Sequence, residues 1–215
     1  KKLYDLPLVN IISQKNCGLP AARNTAINSI QSDYILPLDS DDLIHPCLIQ
    51  QFYDWLEACA FPRNALVAPN MSSFGAYKRR VCIQIPSLYT ICRANYLPVS
   101  TLFSTSSAIN HPYDERMIYG LEDWELWIRL ISNDHYVHNL NTFGFFHREH
   151  PCNMTHSTLK KYADVLSYIK SKHSTLYNRS TIYHLRALAD LSLYDFAKCF
   201  TSPYFRHKMS KLLFK

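Results

Sequence analysis

The chain has 215 residues, of which 47% are hydrophobic, enough to bury the core of one domain that carries a helical appendage. Lysine and arginine number 23 against 17 acidic residues, and this basic balance favours anionic ligands such as a nucleotide diphosphate, an acidic glycan or a membrane surface. No basic block of the nucleic-acid-binding type and no apolar run of bilayer-spanning length occurs, and seven cysteines without a C-x-x-C pair favour a reducing, cytoplasmic compartment.

Strands and helices are predicted to alternate over the first third of the chain. Apolar runs indicate strands at residues 8–12, 34–38 and 65–68, and helix-favouring segments lie at residues 20–29 and 46–59. Alternation of this kind produces a mostly parallel sheet flanked by helices, with a ligand crevice at the carboxyl ends of the strands. The sequence therefore predicts an α/β fold.

The rest of the chain divides into an irregular middle and a helical end. Short strands are predicted at residues 81–85 and 101–106, and strand signals return at residues 136–140 and 142–146. From residue 157 onward the apolar residues recur at helical spacing, including a helix predicted over residues 182–200. We therefore predict one domain over residues 1–156 and a C-terminal helical extension over residues 157–215.

Three aspartates stand where the predicted strand 34–38 runs into a loop. Because side chains alternate along a strand, Asp39 and Asp41 are expected on the same side, with Asp42 beside them. Carboxylates about 4 Å apart repel by roughly 4 kcal/mol at an effective dielectric of about 20, and a hard divalent cation such as Mg²⁺ or Mn²⁺ relieves that repulsion. The alternative is a solvated aspartate-rich turn that caps the helix predicted at residues 46–59.

Four short motifs follow one another along the chain. Residues 16–24 contain N-x-G-x-x-x-A-R-N, residues 39–42 contain D-S-D-D, residues 120–124 contain G-L-E-D-W, and residues 147–150 contain H-R-E-H. This series resembles glycosyltransferase family 2, in which a Glu-Asp pair opens a helix on the acceptor side and a Tyr-Arg-x-His segment closes the site. The resemblance spans residues 8–156, and it implies a GT-A fold of the nucleotide-diphospho-sugar transferase type, a nucleotide-sugar donor, a divalent metal and inversion at the anomeric carbon.

The resemblance also implies a role for each motif residue. The catalytic base is expected at Asp123 with Glu122 beside it, although the helix dipole alone also favours acids in the first turn of a helix. Trp127 is expected at the acceptor wall. The expected metal ligands are Asp41, Asp39 and His150; the expected donor-binding residues are Asn16, Gly18, Arg23, Asp39 and Arg148; and supporting roles are expected for Asp42, Asn24 and Trp124.

A cluster of possible zinc ligands occurs near the end of the predicted domain. It consists of His147, His150, Cys152 and His156. Their spacing matches no zinc module, so the resemblance to the family assigns His150 alone to the Mn²⁺ or Mg²⁺ site.

The predicted strand at residues 8–12 corresponds to the strand that precedes the Asn-x-Gly loop of the family. The resemblance therefore implies that the opening strand, its helix and the next strand are missing. Those elements normally grip the base of the nucleotide. On this interpretation the sequence is an N-terminally truncated domain, and the alternative is a processed or engineered start.

Together these features predict a metal-dependent inverting glycosyltransferase of glycan or polysaccharide synthesis, with a UDP-, GDP- or dTDP-sugar as donor and a glycan or lipid-linked acceptor. Two alternatives stay open: a protein that binds the nucleotide sugar without turnover, and a metal-dependent phosphohydrolase that uses Asp39. The tail at residues 201–215 carries four basic and no acidic residues among apolar ones, a pattern that predicts peripheral contact with anionic lipid. The alternative for the tail is a helix packed on the domain.

Overall fold

The computed structural model describes residues 9–150 and 154–188. Its helices are α1 (Leu19–Ser29), α2 (Leu48–Ala58), α3 (Leu88–Ile91), α4 (Thr105–Asn110), α5 (Glu122–Ser132), α6 (Met154–Lys172), α7 (Ser174–Tyr177) and α8 (Arg179–Leu188). Its strands are β1 (Tyr34–Ile35), β2 (Leu43–Ile44), β3 (Ala65–Gly75), β4 (Arg79–Val81), β5 (Phe103–Ser104) and β6 (Tyr136–Glu149).

The central sheet is built on two long parallel strands. Strand order is β2–β6–β3–β4, with β3 and β6 parallel and the short outer strands β2 and β4 antiparallel to their neighbours. A separate antiparallel pair, β1 and β5, is joined to β3 by an isolated bridge between Val67 and Leu102. The predicted α/β architecture is confirmed, because helices cover a sheet whose longest pairing is parallel.

Strand β3 forms the middle layer of the core. Leu66 and Ala68 share one hydrophobic cluster with α5, whereas Ala65 and Val67 share another with α2. Successive side chains of a strand point to opposite faces, so this continuous apolar run is what a strand covered on both faces requires. Trp127 of α5 is fully buried in this core, with its ring edge-to-face with another aromatic ring 5.4 Å away. Its expected place at the acceptor wall was therefore wrong.

Several predicted elements differ from the observed ones. The strand expected at residues 8–12 is absent from its described part: residues 9–12 adopt no regular structure, and the side chains of Ile11 and Ile12 are exposed. Within the described ranges no strand lies beside this segment to pair with its amides and carbonyls, so the apolar residues alone do not make a strand. The two strands predicted between residues 136 and 146 form the single strand β6, which continues to Glu149.

The predicted strand at residues 101–106 is also shorter than expected. Strand β5 ends at Ser104, whose side chain accepts a hydrogen bond from the Ser107 N–H and thereby caps helix α4. A serine in this position satisfies one of the free amides of the first helical turn, which starts the helix where β propensity alone predicted a strand.

The C-terminal helices dock on α5 through buried charges. The fully buried carboxylate of Glu125 lies 2.9 Å from the ammonium group of Lys172, from Nε2 of His173 and from Nη2 of Arg129. Lys172 also reaches Asp114 at 2.6 Å. These ion pairs tie the end of α6 to the helix whose first turn carries the predicted catalytic residues.

We expect this network to make stability sensitive to acid. Burial alone would raise the pKa of Glu125, but its contacts with His173, Arg129 and Lys172 outweigh burial and lower that pKa to about 2. An acid whose pKa is lowered in the folded state contributes stability above the unfolded value, and this contribution is lost as pH falls toward the folded value. The Glu125→Gln variant should therefore lose about 3 kcal/mol at neutral pH and show a flatter decline below pH 4.5.

Urea unfolding at several pH values between 7 and 3 measures this effect. Glu57→Gln on the exposed side of α2 is the matched control, since it removes the same charge from a solvated position. Equal acid profiles for the two variants would show that the network does not store this stability.

Candidate active site

The Asp39–Asp42 segment is a turn in the structure. Strand β1 ends at Ile35, and the Asp42 N–H donates a hydrogen bond to the Asp39 carbonyl at 3.1 Å. Each carboxylate then meets a different partner: Asp39 contacts Arg23, Asp41 contacts His150, and Asp42 contacts His147. The expectation that Asp39 and Asp41 share one face of a strand was wrong, because the chain bends before the alternation can continue.

Asp42 fixes the end of β6 beside this turn. Its buried carboxylate accepts a hydrogen bond from the Arg148 N–H at 2.8 Å and lies 3.1 Å from Nδ1 of His147. The hydrogen bond to Asp42 raises the pKa of His147 and prevails over burial, which lowers it. Asp42 therefore brings the two motifs together, which agrees with a supporting role.

Arg23 connects the aspartate turn to helix α5. Its Nη2 lies 2.7 Å from Oδ1 of Asp39, and its Nη1 lies 2.6 Å from Oε1 of Glu122. The guanidinium also stacks 5.3 Å from the centre of the buried ring of Tyr113. Burial lowers the pKa of Arg23, but these neighbours outweigh burial and hold it above its usual range, so the bridge stays charged. One largely buried cation thus holds together two motifs that lie far apart in the sequence.

Asn24, the neighbour of Arg23, clamps a loop. Its buried amide donates to the Tyr113 carbonyl at 2.9 Å and to Glu115, and its oxygen accepts a hydrogen bond from the Tyr113 N–H at 2.8 Å. Both edges of one side chain are therefore used to hold residues 113–115 against α1. This is a structural role, and it keeps the ring of Tyr113 under Arg23.

The loop that precedes α1 needs a glycine. Gly18 has φ of +90°, which side-chain-bearing residues rarely adopt, and its N–H is held by Oδ1 of Asn16 at 3.0 Å. Helix α1 begins at the next residue without a side-chain cap. Asn16 thus shapes the loop through Gly18.

The start of α5 is bent into an unusual conformation. Gly120 and Leu121 both have positive φ, of 96° and 66°, and the helix begins directly after them at Glu122. A positive φ at leucine is costly and is tolerated where the surroundings enforce it, often at functional sites. This bend places Glu122 and Asp123 at the first two helical positions.

Asp123 is held by two hydrogen bonds. Its Oδ1 accepts the Trp124 N–H at 2.7 Å, and its Oδ2 accepts the Asn95 amide at 3.1 Å. The Asn95 oxygen accepts the Leu97 N–H, which fixes the amide so that its nitrogen faces Asp123. The Asp123 residue is partly exposed, but surrounding atoms limit the hydration of its carboxylate. This burial raises the pKa of Asp123. The charge of Arg23 and the two hydrogen bonds lower the pKa, but burial has the larger effect.

Glu122 has a different environment from its neighbour. It is buried, and burial together with the charge of Asp123 raises the pKa of Glu122, against the lowering caused by Arg23. The pair therefore places two carboxyl groups, both with raised pKa, at the start of one helix. Glu122 faces the Arg23 bridge, whereas Asp123 keeps part of its surface open to a ligand.

Trp124 anchors the segment that carries Asn95. It is buried, and its indole N–H donates to the Ile91 carbonyl at 2.6 Å. The Tyr177 hydroxyl of α7 donates to the neighbouring Cys92 carbonyl at 2.6 Å. Segment 91–95 is thus held by α5 and by the C-terminal helices. Asn95 was missed by sequence reasoning because it lies in an irregular stretch that offers no motif.

The sequence relationships agree with this geometry. Residues 1–81 match the sequence profile described as Glycosyl transferase family 2. An uncharacterised glycosyltransferase of Methanocaldococcus jannaschii is 25% identical over 138 residues, which are 61% of this chain and 47% of that protein. The chain is therefore similar to glycosyltransferase family 2 over its first 81 residues. The chondroitin synthase of Escherichia coli is 41% identical over 63 residues, which cover 27% of this chain and 9% of the synthase.

A solved structure shares the fold of this chain. Residues 1–349 of S. aureus TarS, in complex with UDP-GlcNAc, superpose with a TM-score of 0.64 at 13% identity, covering 95% of this chain and 58% of that one. TarS is a structural relative, and the likeness establishes a common fold. The chain thus spans about half the length of the M. jannaschii relative and under two thirds of the TarS chain.

Asp41 and His150, two of the predicted metal ligands, form a partial donor set. Nε2 of His150 lies 3.1 Å from Oδ2 of Asp41, and both side chains are about half exposed. Carboxylate and imidazole donors suit Mn²⁺, which commonly takes one or two protein ligands and completes its shell with water and phosphate oxygens. Across residues 9–150 and 154–188, no group of three or more His, Cys, Asp or Glu side chains is arranged to hold a metal. The pair therefore fits a cation that shares its coordination with a bound diphosphate.

The other predicted ligands have partners of their own. Asp39 is held by Arg23, and His147 faces Asp42. Cys152 and the side chain of His156 lie outside the described residues. Arg148 extends along the turn: its Nε donates to the Asp41 carbonyl at 2.9 Å, and its guanidinium lies over the Phe74 ring.

Proposed function

We propose that this chain is a metal-assisted inverting glycosyltransferase of family 2 that moves a sugar from a nucleotide-sugar donor to an acceptor hydroxyl. The observation that carries the proposal is the Arg23 bridge, because it joins the aspartate turn through Asp39 to Glu122 beside the candidate base. A donor-binding turn and a base must lie within one cleft for direct transfer. The TarS structure determined with UDP-GlcNAc supports a nucleotide-sugar donor.

The donor side would be formed by Asp41, His150, Arg148, Asn16 and Gly18. Asp41 and His150 would hold Mn²⁺ or Mg²⁺, which supplies positive charge for the diphosphate leaving group when bound. Arg148 is positioned by the Asp41 carbonyl and the Phe74 ring, so its guanidinium can face phosphate oxygens without losing orientation.

The acceptor side would be formed by Asp123 and its neighbours. Asp123 would remove the proton from an acceptor hydroxyl as the oxygen attacks the anomeric carbon from the face opposite the diphosphate. A single displacement of this kind inverts the configuration, and proton removal by a positioned base typically contributes about 10² to 10⁴ in rate. Asn95 and the Trp124 N–H hold the carboxylate, and the Asp123 residue as a whole is partly exposed.

The alternative functions have less support. A phosphohydrolase would use Asp39 as nucleophile, but Oδ1 of Asp39 is held by Arg23 at 2.7 Å. A protein that binds the nucleotide sugar without turnover would not need an oriented carboxylate with an open surface at Asp123. We retain this second alternative as an outcome of the Asp123 experiment below.

The proposed acceptor is based on the kinds of enzyme found among the proteins that match the chain. Chondroitin synthases and a hyaluronan synthase are among the proteins that match the chain, so we propose a glycan or lipid-linked acceptor in polysaccharide synthesis. None of the helices in the described part of the chain has the length and apolar character that crossing a bilayer requires. A cytoplasmic location and peripheral lipid contact through residues 201–215 remain proposals, and that segment lies outside the described residues.

Replacing Asp41 by alanine tests the donor side. We expect the Mn²⁺-dependent affinity for UDP to fall at least about tenfold, because one of the two candidate ligands is removed. Thermal stability should hardly change, since the Asp41 side chain is about half exposed. Calorimetric titration of UDP, GDP and dTDP with and without Mn²⁺ measures the effect.

Asp54→Ala on the exposed side of α2 is the control for loss of an aspartate. If Asp41→Ala binds UDP with the Mn²⁺ dependence of the unmodified chain, the proposed donor site is misplaced.

A further inference from the structure

Two arginine side chains, from strands β4 and β6 of the central sheet, stack on aromatic rings. Ser72 pairs with both Arg80 and Phe146, and Phe74 pairs with Arg148. Paired residues and residues two apart on a strand point to the same face, so Arg80 and Arg148 share one face of the sheet. The guanidinium of Arg148 lies 4.4 Å from the Phe74 ring centre.

The same arrangement recurs on the edge strand. The guanidinium of Arg80 lies 5.1 Å from the centre of the Phe143 ring. Stacking on a ring fixes the plane of a guanidinium and leaves its N–H edge directed outward, where it can donate to carboxylate or phosphate oxygens. Two such groups form a surface with preset donor directions.

This face is continuous with the candidate donor site. Arg148 donates from Nε to the Asp41 carbonyl, and Asp41 contacts His150. Strands lie about 4.8 Å apart and rise about 3.3 Å per residue, so the backbone of Arg80, two strands away from Arg148 and offset by two residues, lies roughly 12 Å from that of Arg148. A chain molecule bound along the face would therefore run from the edge strand toward the proposed reaction centre.

The hairpin formed by the antiparallel strands β3 and β4 carries positive charge around its turn. Residues 71–85 contain Lys78, Arg79 and Arg80 and no acidic residue. Arg79 pairs with Glu149, whereas no carboxylate in the described ranges pairs with Arg80. Tyr77, at the tip of the hairpin, is 70% exposed. Unneutralised basic groups beside an exposed aromatic ring are typical of surfaces that bind anionic chains.

Protection of the sheet edge is a simpler explanation for basic residues here. Strand β4 is an edge strand, and charged side chains on such strands prevent unwanted strand pairing. That purpose requires charge alone. It does not require Arg80 to be held over Phe143, nor Tyr77 to be exposed beside Lys78.

We propose that this surface, the cationic face, binds the acceptor and that the acceptor is an anionic glycan chain. The cationic face consists of Phe74, Tyr77, Lys78, Arg80 and Phe143, and Arg148, which is assigned to the donor, marks the end of the face nearest the candidate donor site. Its assignment to the acceptor rests on the proposed function, whereas its binding of an anionic glycan does not.

The double variant Lys78→Gln/Arg80→Gln tests the proposal. Binding of a polygalacturonate oligosaccharide to the 215-residue chain should weaken about tenfold, because two of the contributing cations are lost. Added salt should narrow the difference between the proteins, since these charges are exposed. The control Lys170→Gln/Arg179→Gln removes equal charge from the C-terminal helices and should bind like the unmodified chain.

Three results would overturn the proposal: equal weakening in the control variant, equally tight binding of a neutral oligosaccharide of the same length, or tighter binding of a single-stranded oligonucleotide. Titration with UDP and Mn²⁺ separates the two proposals. If the unmodified chain binds UDP but does not bind polygalacturonate, the cationic face is ruled out and the proposed transferase is not. Polygalacturonate binding without UDP binding by the unmodified chain contradicts the proposed transferase and leaves the surface as a glycan-binding site.

Discussion

Replacing Asp123 by asparagine is expected to lower the rate of sugar transfer by about 10² or more, while affinity for the donor stays unchanged. Asparagine keeps the shape, but its single amide oxygen can replace only one of the two acceptor oxygens that bind the Trp124 N–H and the Asn95 amide, and it cannot take a proton. Transfer from a nucleotide-sugar panel and UDP affinity are measured on the same preparation. Glu122→Gln should be milder, because glutamine still accepts from Arg23.

The pH dependence of transfer gives a second readout. The raised pKa of Asp123 predicts that activity falls with acid at a pH above the ordinary range of aspartate, because the base must be ionised. The Asn95→Ala variant removes a hydrogen bond that lowers this pKa, so its acidic limb should move to higher pH.

A role limited to helix capping predicts something different. Asp123→Asn would then lose about 1 kcal/mol of stability and keep full turnover of the folded protein. That outcome would mean that another group is the base. Absence of turnover in the unmodified chain, with donor binding intact, would instead favour the nucleotide-sugar-binding alternative.

The motifs were readable from the sequence because each is short and local. The aspartate turn, the Glu-Asp helix start and the segment at residues 147–150 are contiguous runs, and their order resembles that of a family. What the sequence could not supply was their pairing. The partners of Arg23 lie 16 and 99 residues away, and residue type alone does not say which carboxylate a buried arginine meets.

The fold was predictable to a similar depth. Strand β3 begins with a continuous apolar run, and the apolar residues of α6 recur at helical spacing. Both patterns can be recognised in the sequence because they follow from which side chains are buried. The bend at residues 39–42 was not predictable. The prediction assumed that side chains alternate along a strand as far as Asp41, but β1 ends with its pairing to β5 at Ile35, and the sequence does not show where that pairing stops. Asn95 and Lys172 act through tertiary contacts, so no local signal distinguishes them from other loop and helix-end residues.

Replacing Arg23 by methionine is expected to lower the free energy of unfolding by about 3 to 5 kcal/mol, since it leaves the buried Glu122 carboxylate without its cation. Asp39 is one-third exposed, and water can replace part of its lost contact. Arg63→Met is the matched control, because the Arg63 pair with Asp33 is more than half exposed and should contribute under about 1 kcal/mol. Urea unfolding of both variants measures the difference.

The pH profile identifies the source of this loss. The pKa of Glu122 is raised in the folded protein, so the folded state holds a proton that the unfolded state has released, and stability falls as pH rises above 4.5. Removing Arg23 raises that pKa further, because Arg23 is the cation that lowers it. The Arg23→Met variant should therefore be least stable, relative to the unmodified chain, at pH 8 and less affected at pH 5. Adding Glu122→Gln should remove the pH dependence and restore much of the stability; equal stability of the single and double variants would show that the loss comes from packing on Tyr113 and not from the buried carboxylate.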